Sequence, residues 1–181
     1  MKKPSPKIDF ESKPQITIDI NPVHEAFLRF IFASPEKCKY VILSRRQDMG
    51  KLIFSHIMAG DFQSNRPFMI NPVTFILPMA NNGFGYWLRY RHIYLPEWAQ
   101  EKINDGIEYH FRVWVKDRFR IGYEDENMEQ KTIINAILRG LNVRSNAVNF
   151  DMIKKIDYRN KRKKEEIQFK RLLTLEKSEC Y

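Results

Sequence analysis

Cationic side chains are concentrated near the C-terminal end of the chain. Nine lysines and arginines, opposed by three acidic residues, fall within residues 154–171, which carry a net charge of +6 out of +9 for the whole chain. The nine are Lys154, Lys155, Arg159, Lys161, Arg162, Lys163, Lys164, Lys170 and Arg171. Such a row neutralises phosphates and releases condensed counterions. It therefore predicts salt-dependent binding of a polyanion, with an affinity that depends little on the sequence of a nucleic-acid ligand.

A helical geometry would arrange these cations on one surface. At helical spacing, Lys155, Arg159 and Arg162 lie on one line, and residues 152, 153 and 156 face the body of the protein. The alternative is a solvated helix face that only keeps the protein soluble.

The residues before the cationic row predict one of two helical motifs. A helix over residues 132–139, a turn and a second helix fit a helix-turn-helix, whose second helix enters the major groove. Asn149 is the expected cap of that helix. Four side chains would lie nearest to bases or phosphates, namely Asn146, Asn149, Lys154 and Arg159, and Arg144 is a further predicted nucleic-acid contact. The connection of residues 140–149 is longer than the usual turn of about three or four residues. A plain αα-hairpin is therefore an equal alternative.

A second basic surface is predicted at Arg45 and Arg46. Ser44 and Gln47 have the spacing of a capping box, which predicts a helix over residues 44–59. Two arginines in a first helical turn oppose the helix dipole. A bound phosphate would compensate for this, and so would a salt bridge to a neighbouring carboxylate.

A third candidate surface lies on the predicted strand of residues 86–95. Trp87, Arg89 and Arg91 share one face of this strand, and such a mixture serves single-strand binders that stack bases and neutralise phosphates. The alternative is an ordinary amphipathic strand, buried through its tyrosines.

Catalytic and metal-binding motifs are absent from the sequence. Cys38 and Cys180 have no CxxC neighbour, and the four histidines form no HxxxH or HxH pair. No phosphate-binding loop, GxSxG or HExxH motif occurs. The sequence therefore predicts no enzyme, no cofactor and no metal site.

Hydrophobic periodicity predicts an α+β fold with a C-terminal helical pair that ends in a long basic helix. A small sheet of three or four strands packs on helices, with strands near 15–20, 40–43, 73–78 and 86–95, and helices near 23–33, 44–59 and 96–121. The last two strands form a hairpin. The expected organisation is a flexible arm (1–14), a core domain (15–122), a helical basic region (127–176) and a tail (177–181).

The C-terminal segment resembles known basic proteins. An aliphatic helix, a turn and the stretch FDMIKKIDYRNKRKKEE are similar to the C-terminal part of small basic proteins of phages and mobile elements. They are also similar to the helix-turn-helix end of Mor-type phage transcription activators. The resemblance covers about 45 residues and implies DNA binding in a phage or mobile-element setting. The longer turn departs from the activator pattern.

These features lead to three functional hypotheses. The first is a non-enzymatic, DNA-binding accessory or regulatory protein. The second is a phage structural or assembly protein whose basic helix docks on an acidic protein surface or on packaged genome, with a homo-oligomer or an acidic protein as its partner. The third is a single-stranded RNA binder. The chain has no run of 18 apolar residues and no apolar signal region near Met1, which predicts a cytoplasmic protein without a membrane partner.

Overall fold

The described part of the chain has an α+β fold, as the sequence predicts. The computed structural model describes residues 13–34, 38–60, 69–77 and 92–178, with side chains up to residue 170. The chain divides into two compact units, and the division falls between Tyr109 and His110, inside a long helix.

The first unit contains a three-stranded and a two-stranded sheet. Its elements follow in the order β1 (Gln15–Asp19), α1 (Pro22–Ile31), β2 (Tyr40–Ile42), α2 (Asp48–Ser55), β3 (Met58–Gly60), β4 (Pro72–Ile76), β5 (His92–Tyr94) and the start of α3 (Glu97–Arg120). β4 lies between β1, to which it is antiparallel, and β2, to which it is parallel. β3 and β5 form an antiparallel pair.

The core of this unit is built from alternating strand residues and one face of each helix. Ile16 and Ile18 of β1 are buried because side chains two positions apart share a face of the sheet. They join one hydrophobic cluster with Phe75 of β4, Ile53 of α2 and Ile103 of α3. The predicted half-buried first strand is confirmed.

The structure corrects the predicted helix of residues 44–59 at both ends. Ser44 and Gln47 form no capping box, because Ser44 Oγ accepts from the Arg46 N–H at 3.3 Å and Gln47 Nε2 donates to the Ile31 carbonyl at 2.7 Å. The helix begins at Asp48. Residues 58 and 59, expected at the end of this helix, form strand β3 together with Gly60.

The hairpin predicted between the last two strands is wrong within the described residues. Residues 92–94 pair with β3 rather than with β4. The neighbours of β4 are β1 and β2 instead. The rest of the predicted second hairpin strand, residues 86–91, lies outside the described residues.

Gly50 explains how α2 follows so closely on the preceding turn. A Cβ at this position would clash with the Ser44 carbonyl oxygen, which belongs to the backbone. Backbone atoms cannot rotate away as the end of a side chain can. Only glycine therefore fits between the first turn of α2 and residue 44.

Gly50→Ala is expected to lower the free energy of unfolding by about 1–3 kcal/mol, the usual cost of overpacking. The matched control is Gly140→Ala, because a Cβ at Gly140 would meet nothing within 4 Å. That change should be neutral or stabilising by up to about 1 kcal/mol. Urea denaturation of the two variants measures the difference, and equal stabilities would contradict the close approach.

The second unit is helical throughout its regular elements. After the end of α3, a π-helical turn (Ile121–Asp125) leads to α4 (Gln130–Gly140) and α5 (Ala147–Ser178). The π-helical turn continues the helix with wider spacing, shown by the bond from the Glu126 N–H to the Ile121 carbonyl at 3.2 Å.

The end of α4 is stabilised by a left-handed residue. Asn142 has φ 53° and donates its N–H to the Arg139 carbonyl at 2.9 Å, while Val143 donates to the Leu138 carbonyl at 2.8 Å. This pair of bonds is a Schellman motif, and asparagine tolerates the left-handed region better than most residues. It ends α4 six residues before α5 begins.

Candidate nucleic-acid interface

The first part of α5 is anchored in the second unit by its inner face. Ile153 is 0% exposed and Ile156 is 8% exposed, which confirms the inward orientation predicted for them. α5 contacts α4 within the same unit. From Lys161 to Lys170 every residue is exposed. The cationic segment therefore begins on an anchored helix and continues on a solvated one.

The start of α5 is capped by Asn146, and the expectation that Asn149 caps it is wrong. Asn146 Oδ1 accepts from the Asn149 N–H at 2.8 Å, three positions along, which is the geometry of an N-cap. Asn149 Nδ2 donates to the Arg144 carbonyl at 2.9 Å. Both amides, which were expected near bases or phosphates, thus hold the turn before α5. The exposed Arg144 side chain has no polar partner within the described residues.

The turn between α4 and α5 comprises residues 141–146. It is shorter than the sequence suggested but remains longer than the usual helix-turn-helix connection of about three or four residues. Both the helix-turn-helix and the αα-hairpin interpretation stay open.

Asp157 is a buried carboxylate at the centre of a polar cluster. The residue is 2% exposed, the only buried charged residue among those the structure describes. Its Oδ2 accepts from the Tyr123 hydroxyl at 2.8 Å and from Gln130 Nε2 at 2.6 Å. Lys161 Nζ lies 3.3 Å from the same oxygen. The π-helical turn, the start of α4 and the middle of α5 are thereby joined through one atom.

Tyr123 and Lys161 also contact each other directly. Lys161 Nζ donates to the Tyr123 hydroxyl at 3.0 Å and lies 4.3 Å from the centre of its ring. Burial raises the pKa of Tyr123, and the bond to Asp157 adds to this, whereas Lys161 opposes it. The hydrogen bond to Tyr123 and the proximity of Asp157 raise the pKa of Lys161. At neutral pH the hydroxyl is therefore protonated and the amine charged.

The predicted cations of α5 fall into two groups. Two have an acidic partner: Lys161 pairs with Asp157, and Arg162 pairs with Glu166 at 3.2 Å. The other five are exposed and make no ion pair or hydrogen bond through their side chains within the described residues: Lys154, Lys155, Arg159, Lys163 and Lys164. The sequence predicted all seven as nucleic-acid contacts, with Lys155, Arg159 and Arg162 on one line, and the structure pairs Arg162 of that line with Glu166. The sequence did not indicate Asp157, because an acid in a basic helix is usually solvated.

Tyr158 is a further residue that the sequence analysis missed. It lies among the cations of α5 and is 65% exposed. The signal was present in the sequence, since the positions three and four residues before and after it are all lysine or arginine.

The other two predicted basic surfaces are placed only in part. Arg45 and Arg46 are exposed, but they precede α2 instead of occupying its first turn, so the argument from the helix dipole does not apply. The Arg45 guanidinium lies 4.5 Å from the centre of the Phe54 ring. Trp87, Arg89 and Arg91 lie outside the described residues.

The described residues hold neither a metal-binding cluster nor a membrane-crossing helix. No group of three or more His, Cys, Asp or Glu side chains suited to a metal ion occurs among them. None of the helices in this part of the chain combines the length and apolar character that crossing a membrane requires.

Comparison with protein-family models, with curated proteins and with solved structures finds no match to this chain.

Proposed function

We propose that the chain is a non-enzymatic nucleic-acid-binding protein of accessory or regulatory role, with DNA as its ligand and α5 as its contact surface. The observation that carries the proposal is the group of five exposed cations without acidic partners in residues 154–164. They fall on successive turns of α5, whose first part is anchored, and this arrangement neutralises neighbouring phosphates along a strand.

The repulsion within this group supports an anionic ligand. Arg159 has Lys155 four positions before it and Lys163 four positions after it. Like charges at this spacing destabilise a helix by about 0.2–0.5 kcal/mol per pair. A phosphate backbone along this face removes the repulsion and releases its own counterions. The arrangement thus costs stability in the free protein and gains it in a complex.

The engaged asparagines favour binding to phosphates over reading of bases. Asn146 and Asn149 use their amides to cap α5 and to hold residue 144. An asparagine recognises adenine through its side-chain amide. In Asn146 and Asn149 this amide already forms hydrogen bonds within the turn. We therefore expect affinity that depends little on DNA sequence.

The test is a titration of fluorescent duplex DNA with the purified chain between about 50 mM and about 200 mM salt. The logarithm of the association constant should fall linearly with the logarithm of the salt concentration. The expected slope is about −4 to −5, from five contacts of about 0.9 each. A duplex of unrelated sequence should bind equally well, and poly-glutamate should bind much more weakly. Undetectable binding at the lowest salt would contradict the proposal.

A second candidate, docking on an acidic protein surface during assembly, is favoured by one observation. Ile167 is 43% exposed and Phe169 is 62% exposed on the solvated part of α5. Apolar groups beside cations suit a protein partner better than they suit phosphates. Sedimentation without nucleic acid distinguishes the candidates, because a symmetric oligomer, together with tight binding of poly-glutamate, would favour assembly.

A further inference from the structure

Tyr158 stands at the centre of the cationic face of α5. Its neighbours on the helix surface are Lys154 and Lys155 on the preceding turn, and Lys161 and Arg162 on the following turn. The side chain is 65% exposed and, within the described residues, makes no hydrogen bond or ring contact. The face of the ring is therefore accessible to a ligand, and cations lie on the helical turns before and after it.

The other tyrosines on the described helices have different surroundings. Tyr123 is held by hydrogen bonds to Asp157 and Lys161. Tyr109 is as exposed as Tyr158, at 65%. However, the residues three and four positions from Tyr109 are Asp105, Gly106, Arg112 and Val113, so it lacks the surrounding cations. Tyr109 and Tyr158 are thus equally exposed, but of the two only Tyr158 is surrounded by cations.

An exposed aromatic ring among cations matches the chemistry of a nucleic-acid strand with unpaired bases. Such a strand presents the flat face of each base together with its phosphates, and proteins bind it by stacking aromatic rings on the bases and neutralising the backbone. In a duplex those faces are covered by neighbouring base pairs, and only the base edges are accessible in the grooves. The cations of α5 suit either form, but the face of the Tyr158 ring suits only the first.

We propose that Tyr158 stacks on an unpaired base and that α5 therefore prefers single-stranded nucleic acid, or unpaired regions within it, to a continuous duplex. This inference rests on the proposed nucleic-acid binding and names the form of its ligand. Lys154 and Lys155, which have no acidic partner within the described residues, hold the backbone beside the stacked base, whereas Lys161 and Arg162 contribute only if phosphates displace Asp157 and Glu166. Because stacking accepts every base, the preference is for strandedness and not for sequence.

The experiment compares the affinities of one single-stranded oligonucleotide and of its duplex for four full-length proteins: the wild type, Tyr158→Ala, Tyr158→Phe and Tyr109→Ala. Tyr158→Ala should weaken single-strand binding by about tenfold, within the range of one lost base–aromatic stack, and leave duplex binding within about twofold. Tyr158→Phe keeps the ring and Tyr109→Ala keeps Tyr158, so both should bind like the wild type. Because Tyr158 is exposed, its removal should leave the fold intact, which circular dichroism checks.

Several outcomes would overturn the inference. One is unchanged single-strand binding by Tyr158→Ala, and another is an equal loss for strand and duplex. If Tyr158→Phe loses as much affinity as Tyr158→Ala, the hydroxyl acts as a hydrogen-bond donor and stacking is wrong. These results leave phosphate binding by α5 intact. Failure of the wild type to bind either oligonucleotide would instead reject the proposed function itself, so the two failures are distinguishable.

Discussion

Replacing Asp157 by alanine is expected to lower the free energy of unfolding of the second unit by about 2–4 kcal/mol. The carboxylate is 2% exposed and accepts hydrogen bonds from Tyr123 and Gln130. Its removal leaves both partly buried donors without their acceptor. Lys161 adds little to the estimate because its side chain is 48% exposed and water replaces the lost partner.

Asp157→Asn is the matched control for this prediction. Its amide oxygen can take the place of Oδ2 and accept from Tyr123 and Gln130, so only the charge is lost. We expect it to cost about 1 kcal/mol, well below the alanine variant. Urea denaturation followed by circular dichroism measures both. Equal effects would mean that the charge, and not the accepted hydrogen bonds, stabilises the cluster, and no effect of either would contradict its structural role.

Neutralising four of the cations without acidic partners is expected to weaken duplex DNA binding by about a thousandfold near 0.1 M salt. The slope of the logarithm of the association constant against the logarithm of the salt concentration should become less steep by about 3–4. The variant carries glutamine at Lys155, Arg159, Lys163 and Lys164. These side chains are exposed, and their loss removes no ion pair within the described residues. The fold should therefore be unaffected while the phosphate contacts disappear.

The control removes the same number of charges from the first unit. Glutamine at Lys13, Lys39, Lys51 and Lys102 gives the same net charge as the α5 variant. If binding depends on α5, this control should keep most of the affinity and the salt dependence of the wild type. Similar losses in the two variants would show that overall charge, and not the α5 surface, governs binding.

A third variant tests the division of the α5 cations into two groups. Lys161 is held by Asp157 and by the Tyr123 hydroxyl, so a phosphate must compete with both for it. Lys161→Gln should therefore reduce the salt dependence less than Lys155→Gln does. The comparison uses the duplex titration already described, with stability checked by urea denaturation.

Local patterns in the sequence determined the class of fold and the existence of most elements. Alternating isoleucines predicted β1 because successive side chains of a strand point to opposite faces. Aliphatic residues at helical spacing predicted α4, whose Ile134 and Leu138 are 0% exposed. The concentration of charge in residues 154–171 is likewise a property of composition. Each of these depends only on neighbours along the chain.

The tertiary structure decided the partners of individual polar groups. The Ser44–Gln47 spacing predicted a cap, but the Gln47 side chain instead donates to a carbonyl 16 positions earlier in the sequence. Asn149 had the right type for a cap, yet the chain enters α5 earlier, at Ala147, and Asn146 takes that role. Strand β3 exists because β5, more than 30 residues later, supplies its hydrogen bonds.

The same division applies to the candidate interface. The sequence determined that a helix rich in lysine and arginine follows an aliphatic one. Only the fold decided that Asp157 is buried beneath it, because a carboxylate leaves water where donors such as Tyr123 and Gln130 converge on it. Lys161 pairs with this carboxylate, whereas Tyr158, the next residue along the helix, is exposed. Charge is local information, whereas the availability of a charge depends on contacts between distant residues.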